Sequence, residues 1–166
     1  MSRTAQIGID PLARAWTVRR ASHADALGVV VAVQELLLEL GSTPPPSAAM
    51  EQAVRELIEA GDAGTVLVAL AREEIVGVLA ASWQLAIHVP GPYANIQDLW
   101  VHPAWRGRSI GADLLTALVD LARERGMTRI EVGLPRESFA AIGATEAFYR
   151  DNGFAALGPR MRRLLS

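Results

Sequence analysis

Asn95-Ile-Gln-Asp-Leu-Trp-Val-His-Pro-Ala-Trp-Arg-Gly-Arg-Ser-Ile-Gly-Ala-Asp-Leu-Leu115 is the stretch from which the rest of the chain can be laid out. Its first part, Ile96 to Val101, is apolar-rich and reads as a buried strand. His102-Pro103 closes that strand, because proline brings no N–H to a ladder. A short basic loop follows, Arg106-Gly107-Arg108-Ser109-Ile110-Gly111. Ile110, Leu114, Leu118 and Leu121 then recur at helical spacing. A strand, a basic glycine-bearing loop and a helix start together suit a phosphorylated ligand. The first helical N–H groups have no partner within the helix. The helix dipole and two arginines favour an anion at the same place.

Composition sets the bounds. The 166 residues suit one domain, which buries roughly two-thirds of its unfolded surface. Apolar content of 51% and charged content of 20% describe an ordinary globular protein. The net charge of −2 gives no bulk attraction to nucleic acid or anionic membrane. All 16 basic residues are arginine, so no internal lysine can accept a transferred group, and Gly-x-x-x-x-Gly-Lys-Ser/Thr is excluded. The absence of cysteine excludes disulfides, thiolate metal sites and an acyl-cysteine intermediate. Three scattered histidines at no ligand spacing predict no metal site. Residues 1–15 lack a basic-then-apolar leader, and no apolar run reaches 18 residues. The expectation is a cytoplasmic protein that binds neither nucleic acid nor membrane.

Residues 1–15 read as an N-terminal arm or edge segment, and 16–166 as a single domain. Trp16 to Arg20 alternates as a first strand. Ser22 and Asp25 begin a helix expected to turn Leu27, Val30, Val31, Gln34, Leu37 and Leu38 inward, with Gly41 ending it. Pro44-Pro45-Pro46 forces an extended connection, and Ser47 caps a second helix that Gly61 closes. Thr65–Ala71 and Ile75–Ser82, joined by Arg72-Glu73-Glu74, predict a hairpin. Trp83 to Ala94, with Pro90, Gly91 and Pro92, reads as an irregular loop. After the central helix come a strand at Arg129–Leu134, a helix at Ala144–Asn152, and two short strands at Phe154–Leu157 and Met161–Leu164. This order predicts a mixed α/β sheet of six or seven strands with about four helices on its two faces. The central strand, its helix and the next strand form a parallel βαβ unit.

The segment Asp98 to Gly111 resembles the coenzyme A loop of the GNAT N-acetyltransferases. That family's pattern is Arg/Gln-x-x-Gly-x-Gly/Ala after a strand ending Leu-Tyr-Val-x-Pro. Here the pattern runs from Arg106 to Gly111, with Ser109 in place of its first glycine. Ala147-Phe148-Tyr149-Arg150-Asp151-Asn152-Gly153-Phe154 resembles the family's Phe-Tyr-x-x-x-Gly-Phe, and the element order matches over about residues 16–165. Ile142 stands where many members carry asparagine.

The resemblance implies an acetyl-CoA-dependent enzyme that moves acetyl directly from the thioester to a primary amine through a tetrahedral intermediate. The backbone of Leu99, Trp100 and Val101 would hold the pantetheine arm. Arg106, Gly107, Arg108, Ser109, Ile110, Gly111 and Ala112 would hold the pyrophosphate. Tyr149 would protonate the departing thiolate; a phenol with pKa near 10 stays protonated at neutral pH. The amine must shed a proton, for which Asp98 is the first candidate base. Trp83, His88 and Tyr93 are candidates to line the acceptor pocket, with His88 also a second candidate base. The acceptor is expected to be a small molecule, with a protein or peptide amine as the alternative. A non-catalytic acyl-CoA sensor is the rival of another class. Monomer and homodimer are both open.

Overall fold

The computed structural model describes residues 15–165, so the arm expected at 1–15 lies almost wholly outside the described residues. The chain runs β1 (Thr17–Arg20), a 3-10 turn (His23–Asp25), α1 (Ala26–Glu39), α2 (Ser47–Glu59), β2 (Gly64–Ala71), β3 (Glu74–Ala86), β4 (Gly91–Val101), a second 3-10 turn (Pro103–Trp105), α3 (Ile110–Glu124), β5 (Ile130–Val132) and α4 (Ile142–Asp151). The five strands form one sheet in chain order. The first four are antiparallel to their neighbours, and β5 joins β4 in parallel, as the βαβ reading requires.

Strand alternation divides the core into two layers. On one face Leu67, Leu79, Ala81 and Ile96 pack with Ile110, Leu114 and Leu118 of α3 and Tyr149 of α4. On the other, Val66, Val68, Val78, Ala80 and Trp100 pack with Val29 and Ala32 of α1, flanked by Val54, Leu57 and Ile58 of α2. Leu114 and Leu118 are fully buried. Each such side chain contributes roughly 1.5–3 kcal/mol by leaving water, which fixes α3 and its N-terminus against the sheet.

Four expectations need correction. Five strands form among the described residues rather than six or seven. Phe154–Leu157 and Met161–Leu164 make no strand among the described residues, and Leu157, Met161 and Leu164 stand almost fully in solvent. Trp83–Ala94 is not a loop: β3 continues to Ala86 and β4 begins at Gly91, paired through Trp83↔Ala94, Gln84↔Tyr93 and Leu85↔Pro92. Proline is tolerated there because this end of the hairpin extends beyond β2, whose pairing stops at Gly64↔Ser82. Helix α1 is also phased differently in part. Val30 is buried as expected, together with Ala26, Val29 and Ala32, whereas Leu27, Val31 and Leu38 are exposed. Only Gln34, Glu35 and Glu39 are polar in α1, so the pattern carries too little contrast to set the buried face.

Candidate active site

The site begins with one extra residue. Ala80 pairs with Asp98, but Ala81 pairs with Ile96, so Gln97 is left over as a β-bulge. The bulge inverts the alternation beyond it. Ile96 packs in the α3 layer, and so do Leu99 and Val101 three and five residues on, while Trp100 turns to the α1 layer. The backbone follows. Ala94 N–H donates to Arg129 of the β5 side (3.1 Å), whereas His102 N–H donates to Val76 on the β3 side (2.9 Å). Antiparallel alternation then commits the backbone of Trp100 to Val78 and turns that of Leu99 and Val101 away from β3.

On that outer side the ladder to β5 ends at Ile96↔Val132. Beyond it β4 has an open edge. The Val101 carbonyl accepts from Arg106 Nε at 2.9 Å. What the edge still presents is the N–H and C=O of Leu99 and the N–H of Val101.

The open edge leads to the start of α3. Ser109 precedes the helix in the left-handed region, φ 71° and ψ 13°, and its side chain makes no capping bond. The first intrahelical bond is Asp113 N–H to Ser109 C=O. The N–H groups of Ile110, Gly111 and Ala112 therefore have no helical acceptor. Gly111 is needed for packing: a Cβ there would lie 3.0 Å from the Phe148 ring, so its lack of a side chain lets α3 and α4 close together. The two arginines behave differently. Arg108 lies over the Trp105 ring, 4.9 Å from its centroid. Arg106 Nη2 contacts both carboxylate oxygens of Glu39 at 2.7 and 2.9 Å.

Tyr149 enters from α4, 7% exposed, with its ring in edge contact with Phe148 and Phe154. Burial, helped by the negative charge of Asp98, pushes its hydroxyl pKa up to about 12. Asp98 is itself pushed above the usual carboxylate range by burial. The fold thus brings these two residues, 51 apart in sequence, within electrostatic reach of each other.

The α1-side face of the outer hairpin carries a polar row of which the sequence reading named only Tyr93. Tyr93 Oη donates to Gln84 Oε1 (3.0 Å), and Gln97 Nε2 donates to Ser82 Oγ (2.9 Å). Asn95, paired with Ser82, is 3% exposed and its Oδ1 has no hydrogen-bond partner. The signal was present: Ser82 and Gln84, then Tyr93, Asn95 and Gln97, alternate at strand spacing. Trp83 is not in this row. It packs with the α3 layer under Arg125 (5.3 Å), and both Trp83 Nε1 and Arg125 Nη2 donate to the Gly61 carbonyl. His88 lies exposed in the turn between β3 and β4, and Ile142 opens α4. His102 accepts from Ala104 N–H through Nδ1, the bond of a turn residue. Among the described residues no group of three or more His, Asp or Glu is placed to hold a metal, and no helix is long and apolar enough to cross a membrane.

Residues 32–154 match the model of the acetyltransferase (GNAT) family. The chain is 32% identical over 85 residues to an "IAA acetyltransferase" of Azospirillum brasilense, a match covering 50% of this chain and 52% of the relative. The chain thus spans about half the length of that relative. Its fold is similar to that of a predicted acetyltransferase with acetyl-CoA from Clostridium acetobutylicum (TM-score 0.72, 17% identity, 90% of this chain and 96% of the other). It is also similar to that of an aminoglycoside acetyltransferase from an uncultured soil metagenomic sample in complex with sisomicin (TM-score 0.69, 21% identity, 91% and 95%). With a match across most of its length and a sheet parted beside the start of α3, this chain belongs to the acetyltransferase (GNAT) family.

Proposed function

We propose that residues 16–166 form one acetyl-CoA-dependent N-acetyltransferase domain acting on a primary amine of a small molecule. The observation that carries this is the open edge of β4 leading to the N-terminus of α3. Leu99 N–H, Leu99 C=O and Val101 N–H match the amide-bearing pantetheine arm as an added strand would. The free N–H groups of Ile110, Gly111 and Ala112 suit the pyrophosphate. Gly107, Arg108 and Ser109 shape that loop, and Arg108 adds charge.

Acetyl-CoA supplies the acetyl group as an activated thioester. Asp98 accepts one proton from the acceptor ammonium, directly or through water, since the nitrogen must expose a lone pair. Its raised pKa makes it a better base than an ordinary aspartate. The C–N bond forms first, giving a tetrahedral intermediate, and the collapse of that intermediate breaks the C–S bond. The second amine proton, lost as the amide forms, balances the charge of the leaving thiolate. Tyr149 donates a hydrogen bond to that sulfur. With a pKa of about 12 it is a weaker acid than a thiol, near 8.5, so complete proton transfer from it is uphill. The edge N–H groups can meet the negative oxygen that develops on the acetyl carbon. The absence of cysteine suits direct transfer, since no thiol is present to carry an acyl group.

The polar row of Ser82, Gln84, Tyr93, Asn95 and Gln97 is the natural wall for an acceptor beside Asp98. Trp83, on the opposite face, is left out of this role.

The test is ligand stabilisation followed by an acceptor screen. Acetyl-CoA or CoA at 100 times its dissociation constant raises stability by roughly 2.7 kcal/mol. Gly111→Trp, which forces a large side chain against Phe148, abolishes that gain. No stabilisation by either ligand overturns the reading. Binding without turnover of any amine favours the acyl-CoA sensor.

A further inference from the structure

We propose that Glu39 and Arg106 form a latch through which the acceptor-side helix α1 sets the cofactor edge of β4, making Arg106 a positioning residue rather than a phosphate ligand. This inference rests on the acetyl-CoA reading above.

The contacts of Arg106 carry it. Three of the five guanidinium N–H groups are committed. Nε donates to the Val101 carbonyl at 2.9 Å, and Nη2 donates to Glu39 Oε1 and Oε2 at 2.7 and 2.9 Å. The fork thus joins the last residue of α1 to the last residue of β4, although Glu39 and Arg106 are 67 positions apart.

Two consequences follow. The first concerns register. The bulge at Gln97 turns the Val101 carbonyl to the open side, where a pantetheine amide would otherwise find it. With one lone pair of that carbonyl held by Arg106, an incoming arm meets an unshared acceptor only at Leu99, and donors at Leu99 and Val101. One pairing register is favoured. The second concerns charge. The Glu39 carboxylate neutralises Arg106, so the attraction for phosphate falls to Arg108 and the α3 N-terminus. The Arg106 and Glu39 side chains are 48% and 35% exposed. Such pairs add little to stability, so its effect is read in ligand geometry.

The experiment compares two ligands by calorimetry. CoA carries the pantetheine arm; adenosine 3′,5′-bisphosphate carries phosphates without it. Glu39→Ala and Arg106→Ala each weaken CoA by about tenfold, the worth of about one hydrogen bond to a charged group. The double variant is no weaker than either single one, because both break the same unit. Affinity for the bisphosphate stays within about twofold of wild type. Arg106→Lys separates the two roles further: lysine keeps a charge for phosphate but cannot bridge Val101 and Glu39 as the planar fork does, so it behaves like Arg106→Ala.

The latch is overturned if Arg106→Ala loses the bisphosphate, if Arg106→Lys restores CoA affinity, or if Glu39→Ala binds CoA as well as or better than wild type. Thermal unfolding of each variant without ligand separates lost folding from lost register, and should a variant not fold, Glu39→Gln and Arg106→Gln replace the alanines with the same criteria. A wild type that binds neither ligand overturns the acetyl-CoA reading itself, and the latch with it.

Discussion

Tyr149 shows how one buried group writes itself into the pH dependence of the whole protein. Its folded pKa is about 12, against 10 for the free side chain. Between those values the unfolded chain has released the phenolic proton and the folded chain still holds it. The folded state binds more protons there, so stability must fall as pH rises through this window. Two pKa units correspond to about 2–3 kcal/mol. Tyr149→Phe removes the term, so the gap between variant and wild type should shift by about 2 kcal/mol in the variant's favour from pH 9 to pH 12, measured by urea unfolding at each pH. Parallel curves would mean that the hydroxyl is not shielded. The same variant should lower turnover about a hundredfold. Tyr149 and Asp98 were legible because they stand in or beside motifs with chemical content. Gln97 was not: nothing in a strand sequence marks the residue that will be left unpaired. Ser109 was legible as a departure, and the structure gives its meaning. It occupies a left-handed conformation that suits glycine, at a cost of about 1 kcal/mol, while keeping the loop's shape.

The β2–β3 hairpin carries the same tension at the level of an element. Ala71 pairs with Glu74, so the turn consists of Arg72 and Glu73 alone, with φ of 50° and 66°. Both positive angles make it the mirror-image turn that matches strand twist, which Asn-Gly forms best. Arg72→Asn combined with Glu73→Gly should therefore stabilise the protein by about 1 kcal/mol, read as a higher urea midpoint at unchanged slope. An unchanged or lower midpoint would refute that turn geometry. The hairpin was foreseeable from its two β-rich flanks, whatever occupies the turn. The β3–β4 hairpin was obscured because Pro90, Gly91 and Pro92 resemble breakers in a sequence; they fit only where β3 extends beyond the end of β2. The phase of α1 was hidden for the opposite reason, too little contrast between its faces.

At the scale of the molecule, a helix–sheet–helix sandwich positions everything, and its order could be read from the alternation of elements. What parts β4 from β5, a bulge and the three-residue length of β5, could not. That parting has a consequence for solvent exchange. In the ligand-free protein, the amide hydrogens of Leu99 and Val101 point into the opening, while that of Trp100 between them is locked to β3. Deuterium should enter at 99 and 101 far sooner than at 100. Saturation with CoA should slow 99 and 101 and leave 100 unchanged, as seen residue by residue by NMR. A uniform response along the strand would mean that the ligand lies elsewhere. The exchange rates of β4 would thus record in time what its ladder shows in space: a strand whose successive amides face alternately its neighbour and an open edge.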